Sequence, residues 1–232
     1  MPALSVVIPT LNEEEFLPKL LQQLQKWNID IEILIVDGGS CDTTVSIAKE
    51  FGANVITASK GRALQMNLAA QKAKSPYLFF IHADTQLSKN VEAKVLRFIQ
   101  SKNAAANFKL KFDDEHWWLA LQAFFSRFRS LIFQFGDQGL LVKATLFHKL
   151  GGFNEKMILL EDQDFIRRIR KVSKIKKLDA FLITSARKYL KHGRFKLQFL
   201  YYKLYFLYRL GYSQEVLQQI LESALSESDK AQ

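Results

Sequence analysis

The sequence predicts an α/β fold, a doubly wound parallel sheet covered by helices on both faces and followed by a helical tail. Three observations predict it. Apolar runs without period-2 alternation recur through the first hundred residues, separated by amphipathic stretches, which is the pattern of strands buried on both sides. With 232 residues, 48% hydrophobic and 24% charged, the chain suits one large domain and excludes fibrous, disordered and disulfide-stapled classes. After Gly193 two long helical patterns follow with no strand signal between them.

Leu4–Ile8 reads as the first strand. Helical character extends from Glu13 to Trp27, but Pro18 would remove a hydrogen bond from a second turn. The regular helix is therefore expected from Leu17, leaving Asn12–Glu15 as a loop at the strand end in spite of its capping-box form. Strands at Glu32–Val36, Asn54–Thr57 and Tyr77–Ile81 alternate with helices at Thr43–Phe51 and Gly61–Lys74. A helix is expected over Ser88–Gln100, an alternating strand over Asn107–Phe112, and a strand, a short helix, a helix and a strand over Gly139–Lys143, Thr145–Leu150, Glu161–Val172 and Leu178–Thr184. Helices over Arg194–Leu210 and Ser213–Ser226 complete the chain, with Asp229–Gln232 frayed. The aromatic stretch from His116 to Phe135, with Trp117, Trp118, Phe124, Phe125, Phe128, Phe133 and Phe135, is expected to face a core.

The net charge is +10. Between Phe165 and Tyr212 stand fourteen bases and one acid, Asp179, so the rest of the chain is slightly negative. A field of one sign fits an anionic partner, or simply a solvated basic face. The lone cysteine, Cys41, cannot form an internal disulfide, the first residues lack a secretory pattern, and no apolar run is long enough to span a bilayer. A cytoplasmic protein is expected, with the inner face of the membrane as an alternative setting.

In an open parallel sheet, ligands bind beyond the carboxyl ends of the strands. Three such ends carry polar clusters: Pro9-Thr10-Leu11-Asn12-Glu13, Asp37-Gly38-Gly39-Ser40 and His82-Ala83-Asp84-Thr85. No glycine-rich dinucleotide turn or phosphate loop accompanies them. Asp37 can accept hydrogen bonds from a base or a ribose, and Gly38 and Gly39 let the backbone pass close. Asp84 can hold a hard divalent cation together with diphosphate oxygens, or serve only as a turn residue or the N-cap of the next helix. Glu161-Asp162-Gln163-Asp164 opens a helix, where acids also favour the positive end of the helix dipole.

The ordered series Val-Val-Ile-Pro-Thr-Leu-Asn-Glu (6–13), Ile-Val-Asp-Gly-Gly-Ser-Cys-Asp-Thr-Thr (35–44), Lys-Gly-Arg-Ala-Leu-Gln-Met-Asn (60–67), His-Ala-Asp-Thr (82–85), Gly-Asp-Gln-Gly (136–139) and Glu-Asp-Gln-Asp (161–164) closely resembles the family 2 inverting glycosyltransferases. The resemblance covers residues 4–195. It implies a GT-A fold with a mixed, mostly parallel sheet: a nucleotide-sugar half over 1–100, an acceptor half over 101–195, and a helical tail over 196–232. It further implies a hexosyltransferase that uses a nucleoside diphosphate sugar, a UDP-sugar first, with Mg2+ or Mn2+. Pro9, Thr10, Asn12, Glu13, Asp37 and Ala83 would line the donor pocket, and Arg62 would sit near the diphosphate. Asp84 would hold the metal, with His82 replacing the first Asp of the family's Asp-x-Asp. Asp162 would be the base, Glu161 would position it or touch the acceptor, and Asp137 and Gln138 would face the acceptor, with Arg187 and His192 near the phosphates and the acceptor. The Gly-Arg-Ala-x-Gln-Met-Asn, Gly-Asp-Gln and Thr-Ser-Ala-Arg runs resemble a small bacterial subgroup associated with arsenosugar biosynthesis.

Along Arg194–Leu210, Tyr201, Tyr205, Tyr208 and Tyr212 are expected on one face and Leu197, Leu200, Leu204 and Leu207 on another. Tyrosines beside lysines suit peripheral contact with a membrane; the alternative is a helix packed on the domain or on the partner of a homodimer. A sugar nucleotidyltransferase would need a glycine-rich basic loop in place of residues 9–13. A non-catalytic binding protein for nucleotide sugars or nucleic acid is the other alternative, but no nucleic-acid-reading motif accompanies the charge, which sets nucleic acid aside.

Overall fold

The computed structural model describes residues 1–128, 133 and 136–229, with side chains described through residue 226. In chain order its elements are β1 (Leu4–Thr10), α1 (Leu17–Gln25), β2 (Ile31–Asp37), α2 (Thr44–Glu50), β3 (Asn54–Thr57), α3 (Arg62–Lys72), β4 (Tyr77–Phe80), β5 (Gln86–Leu87), α4 (Val91–Gln100), β6 (Ala105–Phe112) and α5 (Trp117–Phe125). A 3-10 turn at Gly136–Gln138 leads to β7 (Leu140–Lys143), α6 (Ala144–Lys149), α7 (Glu161–Val172), β8 (Ile175–Thr184), α8 (Arg187–His192), α9 (Arg194–Arg209) and α10 (Gln214–Asp229). The strands form one sheet in the order β3-β2-β1-β4-β7-β6-β8-β5. The first four are mutually parallel, β7 runs antiparallel to β4 and β6, β6 and β8 are parallel, and β5 pairs antiparallel with β8.

The uninterrupted apolar runs are explained by burial on both faces. Leu4, Val6 and Ile8 enter a core with Leu17, Leu20, Leu21 and Leu24 of α1, while Val7 enters the opposite core with Met66, Ala69 and Ala70 of α3. Each of the valine, leucine, isoleucine and methionine side chains among them contributes about 2 kcal/mol on leaving water. Pro18 sits in the first turn of α1, where no hydrogen bond is lost, and this leaves residues 11–16 as the loop the sequence anticipated. Parallel pairing places Thr10 beside Asp37 and Val7 beside Phe80, so β1, β2 and β4 end along one edge.

A third core lies beyond the sheet. There Leu110 and Phe112 of β6 meet Leu119 and Ala123 of α5, Tyr189 of α8, Leu197, Leu200 and Leu204 of α9, and Leu217 of α10. Three expectations are corrected in this region. The α8 helix and the short β5 carried no sequence signal, being six and two residues long. The aromatic stretch is divided: Leu119 and Ala123 are buried, whereas Trp117, Phe124 and Phe128 are exposed, and Phe135 lies outside the described residues. The tyrosines of α9 do not form a separate face, because Tyr205 is buried and Tyr201 and Tyr208 pack on the same core as the leucines. Tyr212 is exposed, beyond the end of that helix. Tyrosine and leucine positions are adjacent at about 100° per residue, so together they form one broad inward arc.

Candidate functional site

At the edge formed by β1 and β2, the polar residues satisfy one another. Asp37 is buried, and its Oδ2 accepts from the backbone N–H groups of Gly39 and Ser40 at 2.9 and 2.8 Å. Its Oδ1 accepts from the hydroxyls of Ser40 and Thr10 at 2.5 and 3.2 Å. Burial opposes ionisation here, yet the bonds from Ser40, Gly39 and Thr10 outweigh it and hold the carboxyl below the usual range. Asn12, at φ 54°, donates its backbone N–H to Ser40 Oγ and accepts from the Cys41 N–H, which locks the two loops together. Beneath them, the buried Gln65 donates to the carbonyls of Thr10 and Val36 at 3.1 and 2.7 Å. Asn67, two residues on, donates to the Phe153 carbonyl and accepts from the Phe153 N–H, which ties α3 to the loop before α7. In this stretch of α3 the motif points to Arg62 and not to the amides; the signal for them is two amides placed among apolar residues on a buried helix.

His82 and Asp84 follow β4. His82 Nδ1 lies 3.1 Å from Asp137 Oδ1, and the acid's hydrogen bond and charge overcome burial to hold the imidazole above its ordinary pKa. Arg187 Nη2 donates to both oxygens of Glu13 at 2.7 and 2.9 Å and lies 3.4 Å from Asp84 Oδ2, with its guanidinium 4.3 Å above the Phe16 ring. Arg187 therefore stands at the strand-end edge beside Glu13 and Asp84. Its neighbour Lys188 lines the adjacent cavity instead, and His192 lies outside that lining.

The cavity, of about 350 Å³, lies between this edge and the third core. Arg62, His82, Asp84, Asp137 and Asp162 line it, together with Leu110, Phe112, Tyr201 and Leu204. Pro9, Thr10, Asn12, Glu13, Asp37 and Ala83 lie outside the lining, along the strand edge. Gln138 also lines the cavity, but its amide is engaged on both sides, donating to the Phe133 carbonyl and accepting from Lys177 Nζ at 2.5 Å.

The four residues that open α7 divide their tasks. Glu161 is buried and grips Arg62, with Oε1 2.8 Å from Nε and Oε2 3.3 Å from Nη2. That charge raises the Arg62 pKa well above its ordinary value. Asp164 is buried against Arg167 and Arg168, which hold it in the ionised form although burial opposes this. Asp162 faces the cavity, and burial first and the Glu161 charge second push its pKa up to about 6. Opposite it, a Cβ on Gly136 would come within 3.1 Å of Asp162 Oδ2 and 3.2 Å of His82 Nε2, so only glycine lets these groups approach unhindered.

Among the described residues, no cluster of three or more His, Cys, Asp or Glu side chains could hold a metal ion. What fits a hard cation is Asp84, whose Oδ1 is buried without a hydrogen-bond partner. A single carboxylate is a common protein contribution where diphosphate oxygens and water complete an octahedral shell.

The Glycosyl transferase family 2 profile matches residues 5–157. A 4,4'-diaponeurosporenoate glycosyltransferase of Staphylococcus haemolyticus is 36% identical over 107 residues, which is 43% of this chain and 28% of that protein. A PGL/p-HBAD biosynthesis glycosyltransferase of Mycobacterium bovis is 28% identical over 177 residues, covering 71% of this chain and 68% of that one. Among solved structures, S. aureus TarS 1-349 in complex with UDP-GlcNAc superposes with a TM-score of 0.65 at 18% identity, covering 96% of this chain and 71% of that one. The mannosyltransferase PcManGT from Pyrobaculum calidifontis, in complex with GDP-Man and Mn2+, superposes with a TM-score of 0.66 at 16% identity, covering 99% and 74%. At these identities the likeness establishes the GT-A type of fold.

Proposed function

The chain belongs to glycosyl transferase family 2, and from that premise we propose that it moves a sugar from a nucleoside diphosphate sugar to an acceptor hydroxyl with inversion. The observation that carries this reading is Asp162, a carboxyl on the cavity wall with a pKa pushed up to about 6. It can take up a proton near neutral pH, as a general base must. The donor lies along the ends of β1, β2 and β4, its nucleoside over the Asp37 loop and its diphosphate toward Asp84 and Arg187. A UDP-sugar is the first choice, and the neighbours that bind UDP-GlcNAc and GDP-Man speak for a nucleotide sugar.

The acceptor enters the cavity and presents its hydroxyl to Asp162. The carboxylate removes the hydroxyl proton as the oxygen attacks the anomeric carbon from the face opposite the diphosphate. The bond from that carbon to the diphosphate oxygen breaks, and the nucleoside diphosphate leaves with the electron pair. Arg62, fixed by Glu161, lies on the cavity wall where positive charge opposes the charge that develops on the leaving group. A divalent cation at Asp84 would supply further electrostatic stabilisation of the diphosphate. The exposed thiol of Cys41 suits a reducing cytoplasm. The narrower likeness to the arsenosugar-associated subgroup is a proposal carried by the Gly-Arg-Ala-x-Gln-Met-Asn, Gly-Asp-Gln and Thr-Ser-Ala-Arg runs.

A panel of UDP- and GDP-sugars, each with manganese and with chelator, tests the reading through nucleoside diphosphate release and the anomeric configuration of the product. Release that needs the metal, with an inverted anomeric centre, is the expected result. A retained configuration would overturn the mechanism.

A further inference from the structure

We propose that the outer faces of α5 and α9 form a ledge that docks this protein on an anionic lipid bilayer. The inward arc of α9 is used by the third core, and its opposite side carries Phe195, Phe199, Phe206 and Leu210, 44–66% exposed. At about 100° per residue these four fall within a sector of roughly 60°. Lys196 and Lys203 flank that sector on one side and Arg209 on the other, all exposed. A solvated basic helix would place its cations, and not its phenylalanines, at the centre of the outer face. An interfacial helix does the reverse, because rings enter the headgroup and acyl boundary while ammonium groups reach its phosphates.

The ledge continues onto α5. Trp117, Leu121 and Phe124 repeat at helical spacing, Phe128 follows in the next turn, and all four are 37–61% exposed. The rows join through ring contacts of Trp117 and Trp118 with Phe195, at centroid separations of 5.9 and 4.8 Å, and through the Tyr202 hydroxyl donated to Gln122. Single exposed apolar residues are ordinary on a protein surface, whereas a contiguous patch marks an interaction site. The charge nearby selects the partner. No Asp or Glu occurs from Ala180 to Gln214, and Arg127 stands over the Phe124 ring. Asp113 accepts from the Ala186 N–H, Asp114 is paired with Arg194, and Glu115 is exposed just before α5. Among the described residues no helix is long and apolar enough to cross a membrane, so contact would lie in the interfacial plane. The inner sides of the same two helices supply Gln122, Gln198 and Leu204 to the cavity, so the cavity wall backs the docked surface. This inference does not depend on the assignment of Asp162.

Vesicle co-sedimentation of the full chain tests it, using phosphatidylcholine alone and phosphatidylcholine with about 30% phosphatidylglycerol. The expected result is sedimentation with the anionic vesicles, weakened roughly tenfold or more without the anionic lipid. Phe199→Ser with Phe206→Ser, and separately Lys196→Glu with Lys203→Glu, should each weaken it by a similar factor, roughly tenfold, with circular dichroism and Tm unchanged. These positions are exposed, so folding should survive the changes. Failure to sediment with anionic vesicles at low salt would overturn the proposal, as would undiminished binding by the Phe199→Ser/Phe206→Ser protein. A dimer seen by light scattering that the same substitutions dissociate would also overturn it, by assigning the ledge to a second copy of the chain.

Discussion

The loop cluster at the ends of β1 and β2 and the cavity wall at the start of α7 each carry an aspartate, in opposite electrostatic situations. Asp37 accepts four hydrogen bonds from its own loop and its neighbour, and its pKa falls. Asp162 faces open space beside the charge of Glu161, and its pKa rises to about 6. A carboxylate whose lone pairs are all engaged holds loops in shape. One left without strong partners keeps its capacity to take a proton, at some cost to the fold. The contrast fits the proposed division of work, frame at Asp37 and chemistry at Asp162, although each is an acid at the end of a secondary-structure element.

Substitutions that exchange these situations should break the contrast most sharply. Asp162→Asn should lower turnover by roughly 100- to 10,000-fold in a product-release assay. The same change should raise stability at pH 7 by on the order of 2 kcal/mol, read from urea unfolding. The sign follows from the folded pKa of about 6 lying above the ordinary 3.8: ionisation costs nothing below about pH 4 and its full amount above about pH 6. In the wild type, kcat/KM should fall tenfold per unit as pH drops below about 6, because the base fills with its proton. A flat profile down to pH 5 would place the base elsewhere.

Smaller effects should sharpen the comparison. Glu161→Gln removes the charge that fixes Arg62, and kcat should fall by roughly tenfold as the guanidinium loses its position. On the frame side, Gln65→Ala deprives the Thr10 and Val36 carbonyls of their buried donor, which should cost about 1–3 kcal/mol of stability. Its kinetic effect should appear in the donor KM with kcat nearly unchanged. A kcat loss as large as that of Asp162→Asn would erase the distinction between the two regions.

Much of this was legible in the sequence. Non-alternating apolar runs gave the parallel start of the sheet because burial on both faces leaves no polar face to encode. Pro18 set the start of α1 through its missing N–H, and the three polar strand ends were readable because a parallel sheet gathers them at one edge. What could not be read depends on partners distant along the chain. Arg187 meets Glu13 across 174 residues, and nothing local in Ser-Ala-Arg-Lys distinguishes it from Lys188, which faces the cavity. The aromatic stripe of α5 and the tyrosines of α9 obeyed helical spacing, but spacing alone does not say which arc meets the core. Only the packing of α5 and α9 on β6 turned the tyrosines inward and the phenylalanines outward.

In the proposed mechanism donor binding and proton removal reside in separate regions, with Asp162 serving only the second. Calorimetric titration of the nucleotide sugar with manganese into wild-type and Asp162→Asn protein, with transfer measured on the same samples, tests it most directly. The expected result is a donor Kd within about threefold of wild type while turnover falls by at least ~100-fold. Retained turnover, or donor affinity lost together with turnover, would contradict it.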